Sequence, residues 1–280
     1  MRVVHTGQEE ELPEKPLLEH VYDLLETIRR ILILHVAFIL LLLLAPAPNE
    51  LPRSYYPILF YAMNITKTYM LDFQNNLFAY PFAKLFGVTG SSVVLIAHGW
   101  FDSLTASLYL AALITIAFLA PVTVYYLYKF IEPGLYSHEK RIVKKYIYIS
   151  LGLFLSGVIY GFFVVMPIVF ATAVWIATLG GASLFFSIEE FYNDIFIGSL
   201  ATGVFFMFPL ALLTLHKIGI VNYETLNKNW RIIVFAGYTF LALITPDPTP
   251  FSDLALGIPF VGLYFLSMWL IKRAEEKEKH

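Results

Sequence analysis

Six stretches of this chain contain no Asp, Glu, Lys or Arg: residues 31–45, 104–127, 147–171, 195–215, 232–244 and 254–271. A helix crosses the hydrocarbon of a bilayer in about 20 residues, because each residue rises about 1.5 Å. The second, third and fourth stretches have that length. The first reaches it with flanking residues, and the last two are short, which thins the bilayer locally or draws flanking groups inward. The composition agrees: 58% of residues are hydrophobic and only 14% charged, where a soluble domain carries about a quarter charged. The chain is read as an all-α integral membrane protein with six transmembrane helices. It has no cysteine, so disulfides, thiolate metal sites and a thiol nucleophile are excluded. Residues 1–30 are polar and acidic and do not read as a signal peptide.

Charge sets the expected orientation. With six spans and both termini on one side, that side holds sixteen of the 19 Lys and Arg residues, and the other side holds only Arg53, Lys67 and Lys84. The basic side is expected to be cytoplasmic. The chain then divides into a cytoplasmic segment 1–30, a membrane domain 31–271 with a long outside loop 46–102, and a solvated charged tail 272–280. The outside loop has aromatic-rich stretches at 55–63 and 77–86, broken by prolines, which suit interfacial helices and contact with membrane lipids. Pro121, Pro167, Pro209 and Pro259 fall in or near the ends of spans. Each removes a backbone donor and is expected to kink its helix, giving a concave arrangement.

One hairpin between spans is distinctive: Phe130-Ile-Glu-Pro-Gly-Leu-Tyr-Ser-His-Glu-Lys-Arg141. It joins a Pro-Gly turn, an aromatic face and a carboxylate, Glu139, beside basic residues. Preceded by Ala120-Pro121, it resembles A-P-V-x-x-Y…F-I-x-P-G-L-Y-x-x-E-R-R of TatC, the multispanning subunit of the twin-arginine protein translocase. The likeness continues through Gly161 to Pro167, Gly203 to Pro209, Ile218-Gly-Ile-Val221, Ile244-Thr-Pro-Asp247, Ser252 and Ile258-Pro259. It implies a receptor and scaffold, not an enzyme, that binds the Arg-Arg signal peptide of folded cargo. It also implies export driven by the proton-motive force, single-span partners resembling TatA or TatB, and assembly as hetero- and homo-oligomers. No cofactor, metal or nucleic acid is expected.

The resemblance has departures. The family's H-L-x-E-L-R-x-R before the first span corresponds here to residues 20–30. Asp23 takes the glutamate position without a gap, and Glu26 takes it with one. Met207 stands where the family often has an intramembrane glutamate, two residues before Pro209, so altered partner docking is expected.

Carboxylates are the natural acceptors of guanidinium forks, through paired charge-assisted hydrogen bonds. Glu139 is the first candidate, with Asp23 or Glu26 as the second. Phe130, Leu135 and Tyr136 suit the apolar part of a signal peptide. Met207, Pro209 and Asp247 are partner-contact candidates, although Asp247 before Pro248 also reads as a turn residue. Plainer readings exist: Glu139 as a solvated charge, and Asp23 and Glu26 as acids complementing a helix dipole. The alternative function is a small-molecule transporter or channel. Such carriers keep ionisable groups inside the membrane, and His35 alone qualifies in the spans. His35 reads as a packed histidine. Ser199 beside Gly198 raises an intramembrane protease, but no later span supplies a histidine.

Overall fold

The structure is a computed structural model describing residues 17–47, 55–244 and 250–278. It is mostly helical. Helix α1 runs Leu17–Leu44, α2 Ile58–Leu71 and α3 Tyr80–Phe86. Strand β1, Val94–Ile96, precedes the 30-residue α4, Asp102–Ile131. Next come α5 (Ser137–Tyr160), a π-helical turn (Gly161–Val165) and α6 (Met166–Leu179). Strand β2 (Phe185–Ser187) leads into α7 (Ile188–Phe206), followed by α8 (Phe208–Lys217), α9 (Tyr223–Ile244) and α10 (Pro250–Glu278). Among the described residues, five helical stretches are long and apolar enough to cross a membrane: Leu18–Leu44, Asp102–Gly134, Glu139–Leu179, Ile188–Lys217 and Leu254–Glu276. The fifth apolar stretch lies in α9, a 22-residue helix that is not among the five. The fold is that of an all-α membrane protein.

The expected interfacial segments form α2 and α3, which cap one end of the molecule. Tyr192 of α7 is buried there, and its hydroxyl donates to the Met63 carbonyl of α2 at 2.7 Å. Phe86 of α3 stacks on Trp175 of α6 at 4.3 Å, with the edge of Phe251 from α10 against both. Beside them β1 and β2 pair in parallel, Val94 opposite Phe185 and Ile96 opposite Ser187. Ser187 ends β2 and caps α7, its hydroxyl accepting the Glu190 N–H at 3.3 Å.

The four prolines act in two ways. Pro209 follows a break at Met207 that divides the fourth apolar stretch into α7 and α8, and Pro167 follows the π-turn that divides the third. Pro121 and Pro259 lie inside the continuous helices α4 and α10. A helical proline leaves the carbonyl four residues earlier without its donor, which is costly in hydrocarbon. For Pro167 that carbonyl is Phe163, and the Tyr69 hydroxyl of α2 donates to it at 2.9 Å. For Pro259 it is Ala255, and the Tyr160 hydroxyl of α5 donates to it at 2.7 Å. Burial raises the Tyr69 phenol above its ordinary pKa, against a smaller opposing pull from Asn76, so it remains a donor. Pro167 and Pro259 thus each join their helix to another element.

Helix α5 crosses α7 at close range because both faces are small. A Cβ on Gly157 would lie 2.7 Å from the Thr202 carbonyl oxygen, and one on Gly161 would lie 2.9 Å from the Ser199 Cα. From α7, a Cβ on Gly203 would meet Val158 at 2.6 Å. Gly157 and Gly161 form the G-x-x-x-G pattern by which membrane helices approach closely. The charged run after residue 271 is not a solvated tail throughout. It continues α10 to Glu278, and the half-buried Glu275 accepts the Tyr223 N–H at 2.7 Å.

Removing the Tyr160 hydroxyl with Tyr160→Phe should cost about 0.5–2 kcal/mol in a detergent unfolding titration. In a Pro259→Ala background, which restores a backbone donor to Ala255, the cost should shrink; an unchanged cost contradicts the pairing. Gly157→Val should destabilise the chain by about 1–3 kcal/mol through overpacking in the same titration.

Candidate functional site: the α4–α5 hairpin and the start of α1

At the end of the molecule opposite α2 and α3, α4 closes in a tight turn at Glu132-Pro133-Gly134, where the Leu135 N–H donates to the Glu132 carbonyl at 3.2 Å. Pro133 fixes its own φ in this turn. Helix α5 then begins at Ser137. Glu139 sits in its first turn, and its Oε2 accepts the Tyr136 N–H at 3.0 Å. This is the returning half of a capping box, satisfying a donor that the helix start leaves open. Glu139 is half-buried and followed by Lys140, Arg141, Lys144 and Lys145. Its carboxylate is therefore a helix cap as well as a charge among cations, more than the plain reading of a solvated acid allows. Phe130 and Leu135 are half-buried and Tyr136 is exposed.

Helix α1 extends well beyond its apolar run, from Leu17 through the polar residues to Leu44. Asp23 and Glu26 lie past the first turn, where the dipole effect has faded, so they are not dipole-complementing terminal acids. Their spacing of three makes them neighbours on the helix surface, but their exposure differs. Asp23, Thr27, Ile31, His35, Phe38 and Ile39 form the less exposed stripe of α1, while Glu26 is exposed. Glu26 pairs with Arg30 of the same helix at 2.5 Å. The stripe faces α4: Phe38 stacks on Phe118 at 5.3 Å, and His35 Nε2 lies 3.4 Å from Thr123 Oγ1. These pairs make α1 and α4 antiparallel. Asp23 lies twelve residues before His35, roughly 18 Å along the axis, and Ile131 lies eight beyond Thr123, roughly 12 Å. That register brings the stretch of α1 that holds Asp23 and Glu26 to about the level of the hairpin.

The partner-contact candidates lie elsewhere. Met207 is the half-buried residue at the α7–α8 break, and Pro209 beside it is buried. Asp247 lies outside the described residues. Ser199 is buried against Gly161, its hydroxyl without a hydrogen-bond partner among the described residues. His35 is half-buried on the α1–α4 seam, as a packed histidine would be. The two tyrosine–proline pairs were not anticipated; counting four residues back from each proline marks the orphaned carbonyls but not the helix that supplies the donor.

Glu139→Gln should preserve the cap, since glutamine also serves in a capping box, and Glu139→Ala should lose about 1 kcal/mol. Thermal unfolding followed by circular dichroism in detergent distinguishes the two variants.

The family model described as Sec-independent protein translocase protein (TatC) matches residues 19–259. Among relatives, the Sec-independent protein translocase protein TatC of Haemophilus influenzae is 28% identical over 209 residues, covering 75% of this chain and 81% of that protein. The TatCy protein of Bacillus subtilis is 30% identical over 176 residues, 63% of this chain and 69% of that one. The chloroplastic TATC of Pisum sativum is 27% identical over 155 residues, 55% of this chain and 44% of that one. The fold is also similar to the crystal structure of the twin arginine translocase receptor TatC in DDM, with a TM-score of 0.62 and 23% identity, over 91% of this chain and 98% of that one.

Proposed function

The chain belongs to the Sec-independent protein translocase (TatC) family, and on that premise we propose that it is the translocase subunit that binds twin-arginine signal peptides of folded cargo. The observation that carries this reading is the α4–α5 hairpin. It offers an anchored carboxylate, Glu139, close in sequence to Phe130, Leu135 and Tyr136. The second acceptor is Asp23 and not Glu26. Asp23 lies on the less exposed, α4-facing stripe of α1, whereas Glu26 is exposed. Two carboxylates served by two guanidinium forks explain a requirement for arginine over lysine, because only arginine presents a planar bidentate fork.

The rest of the reading follows from the same premise. The chain spans the cell membrane six times, with α9 as a short span and the hairpin end and both termini in the cytoplasm. It assembles with single-span subunits of the TatA and TatB kind, and with further copies of itself, and the membrane potential drives transport.

In a binding assay with the purified chain in detergent, Glu139→Gln and Asp23→Asn should each weaken a twin-arginine peptide at least tenfold, and Glu26→Gln should change it less than threefold. Full binding by the capped but uncharged Glu139→Gln would remove Glu139 from the recognition site.

A further inference from the structure

The cap at the end opposite the hairpin carries a motif that the translocase reading does not use. Helix α2 contains Asn64-Ile65-Thr66, an Asn-x-Thr sequon, the acceptor sequence for N-linked glycosylation on the outer side of a membrane. The tripeptide is short, and what surrounds it decides whether it is usable.

Helix α2 buries one stripe, Leu59, Met63, Thr66 and Met70, and Asn64 stands off it, exposed. The Asn64 carbonyl accepts the Thr68 hydroxyl at 2.9 Å, but its carboxamide has no hydrogen-bond partner among the described residues. Asn64 lines an open groove of about 490 Å³, formed by α2, the turn after it and the segment that follows α3. Lys67, Thr68, Asp72, Gln74, Asn75 and Ser91 share its walls. A surface turned toward lipid would not carry these groups. The space beside the Asn64 carboxamide is therefore water-facing, and its amides and hydroxyls suit the hydroxyls of a sugar.

We propose that Asn64 carries an N-linked glycan whose first sugars lie along this groove. The proposal rests on the reading of the hairpin end as cytoplasmic, which puts α2 outside. The donor class is a glycan on a polyprenyl phosphate carrier. The bond from the anomeric carbon to the phosphate oxygen breaks, a bond from that carbon to Asn64 Nδ2 forms, and the proton that this nitrogen loses goes with the released phosphate. Thr66, whose hydroxyl completes the sequon, is only 6% exposed. Transfer therefore precedes the packing of α2 on the core, and the groove holds the glycan afterwards.

The test is mass spectrometry on the full chain purified from membranes of the cell that makes it. Trypsin, cutting after Arg53 and Lys67, releases residues 54–67, in which Asn64 is the one asparagine. That peptide should be heavier by at least one sugar unit, with the added mass on Asn64. Asn64→Gln and Thr66→Val should each lose the whole increment, and Thr66→Ser, which keeps a sequon, should retain it. The exposed Asn64→Gln decides the matter if the buried Thr66→Val does not fold. An unmodified peptide, or a sugar on any other of its residues, overturns the proposal. Orientation is read separately. The chain has no cysteine, so Lys67→Cys in the Asn64→Gln background supplies a single thiol, which a membrane-impermeant maleimide should label in intact cells. Such labelling with an unmodified Asn64 counts against the glycan and not the orientation; labelling only after the cells are broken counts against the orientation on which both readings rest.

Discussion

In hydrocarbon a backbone carbonyl without a donor has no water to turn to, and this chain places prolines within or at the ends of four apolar runs. The architecture depends on how the missing bonds are replaced. At Phe163 and Ala255 the replacement is a tyrosine hydroxyl from another element, so a local defect becomes a tertiary contact. Tyr69 ties the capping helix α2 to the π-turn, and Tyr160 ties α5 to α10. These two bonds connect the cap and the last helix to the α5–α7 crossing, where glycines remove the side chains that would hold the backbones apart.

That framework positions the hairpin. Helix α4 is held from one side by the α1 stripe of His35 and Phe38, and α5 is held from the other by Gly157 and Gly161. The turn between them is short and carries a proline, and Glu139 closes it through the Tyr136 N–H. A carboxylate that also caps a helix is fixed in direction before any ligand arrives, which lowers the ordering cost of binding.

Much of this was legible from residue order. The absence of charge in six runs located the helices, and the proline-broken aromatic stretches located α2 and α3. Other features depend on partners distant in the chain. Strands of three residues, Val94–Ile96 and Phe185–Ser187, are too short to show an alternating pattern. The difference in exposure between Asp23 and Glu26 could not be read by alignment, because it turns on which face of α1 meets α4. The bond from Tyr223 to Glu275, 52 residues apart, likewise turned part of an apparent solvated tail into a packed helix end. The G-x-x-x-G of Gly157 and Gly161 was readable in principle, but its counterpart on α7 was not.

The central claim is that the hairpin end of this molecule reads guanidinium forks. The most direct measurement is binding of a labelled twin-arginine signal peptide to the purified chain in detergent, with the Lys-Lys version of the same peptide as competitor. The account predicts that the Lys-Lys peptide competes at least tenfold more weakly, since a lysine ammonium cannot make the paired bonds of a guanidinium. Equal competition by the two peptides would contradict it.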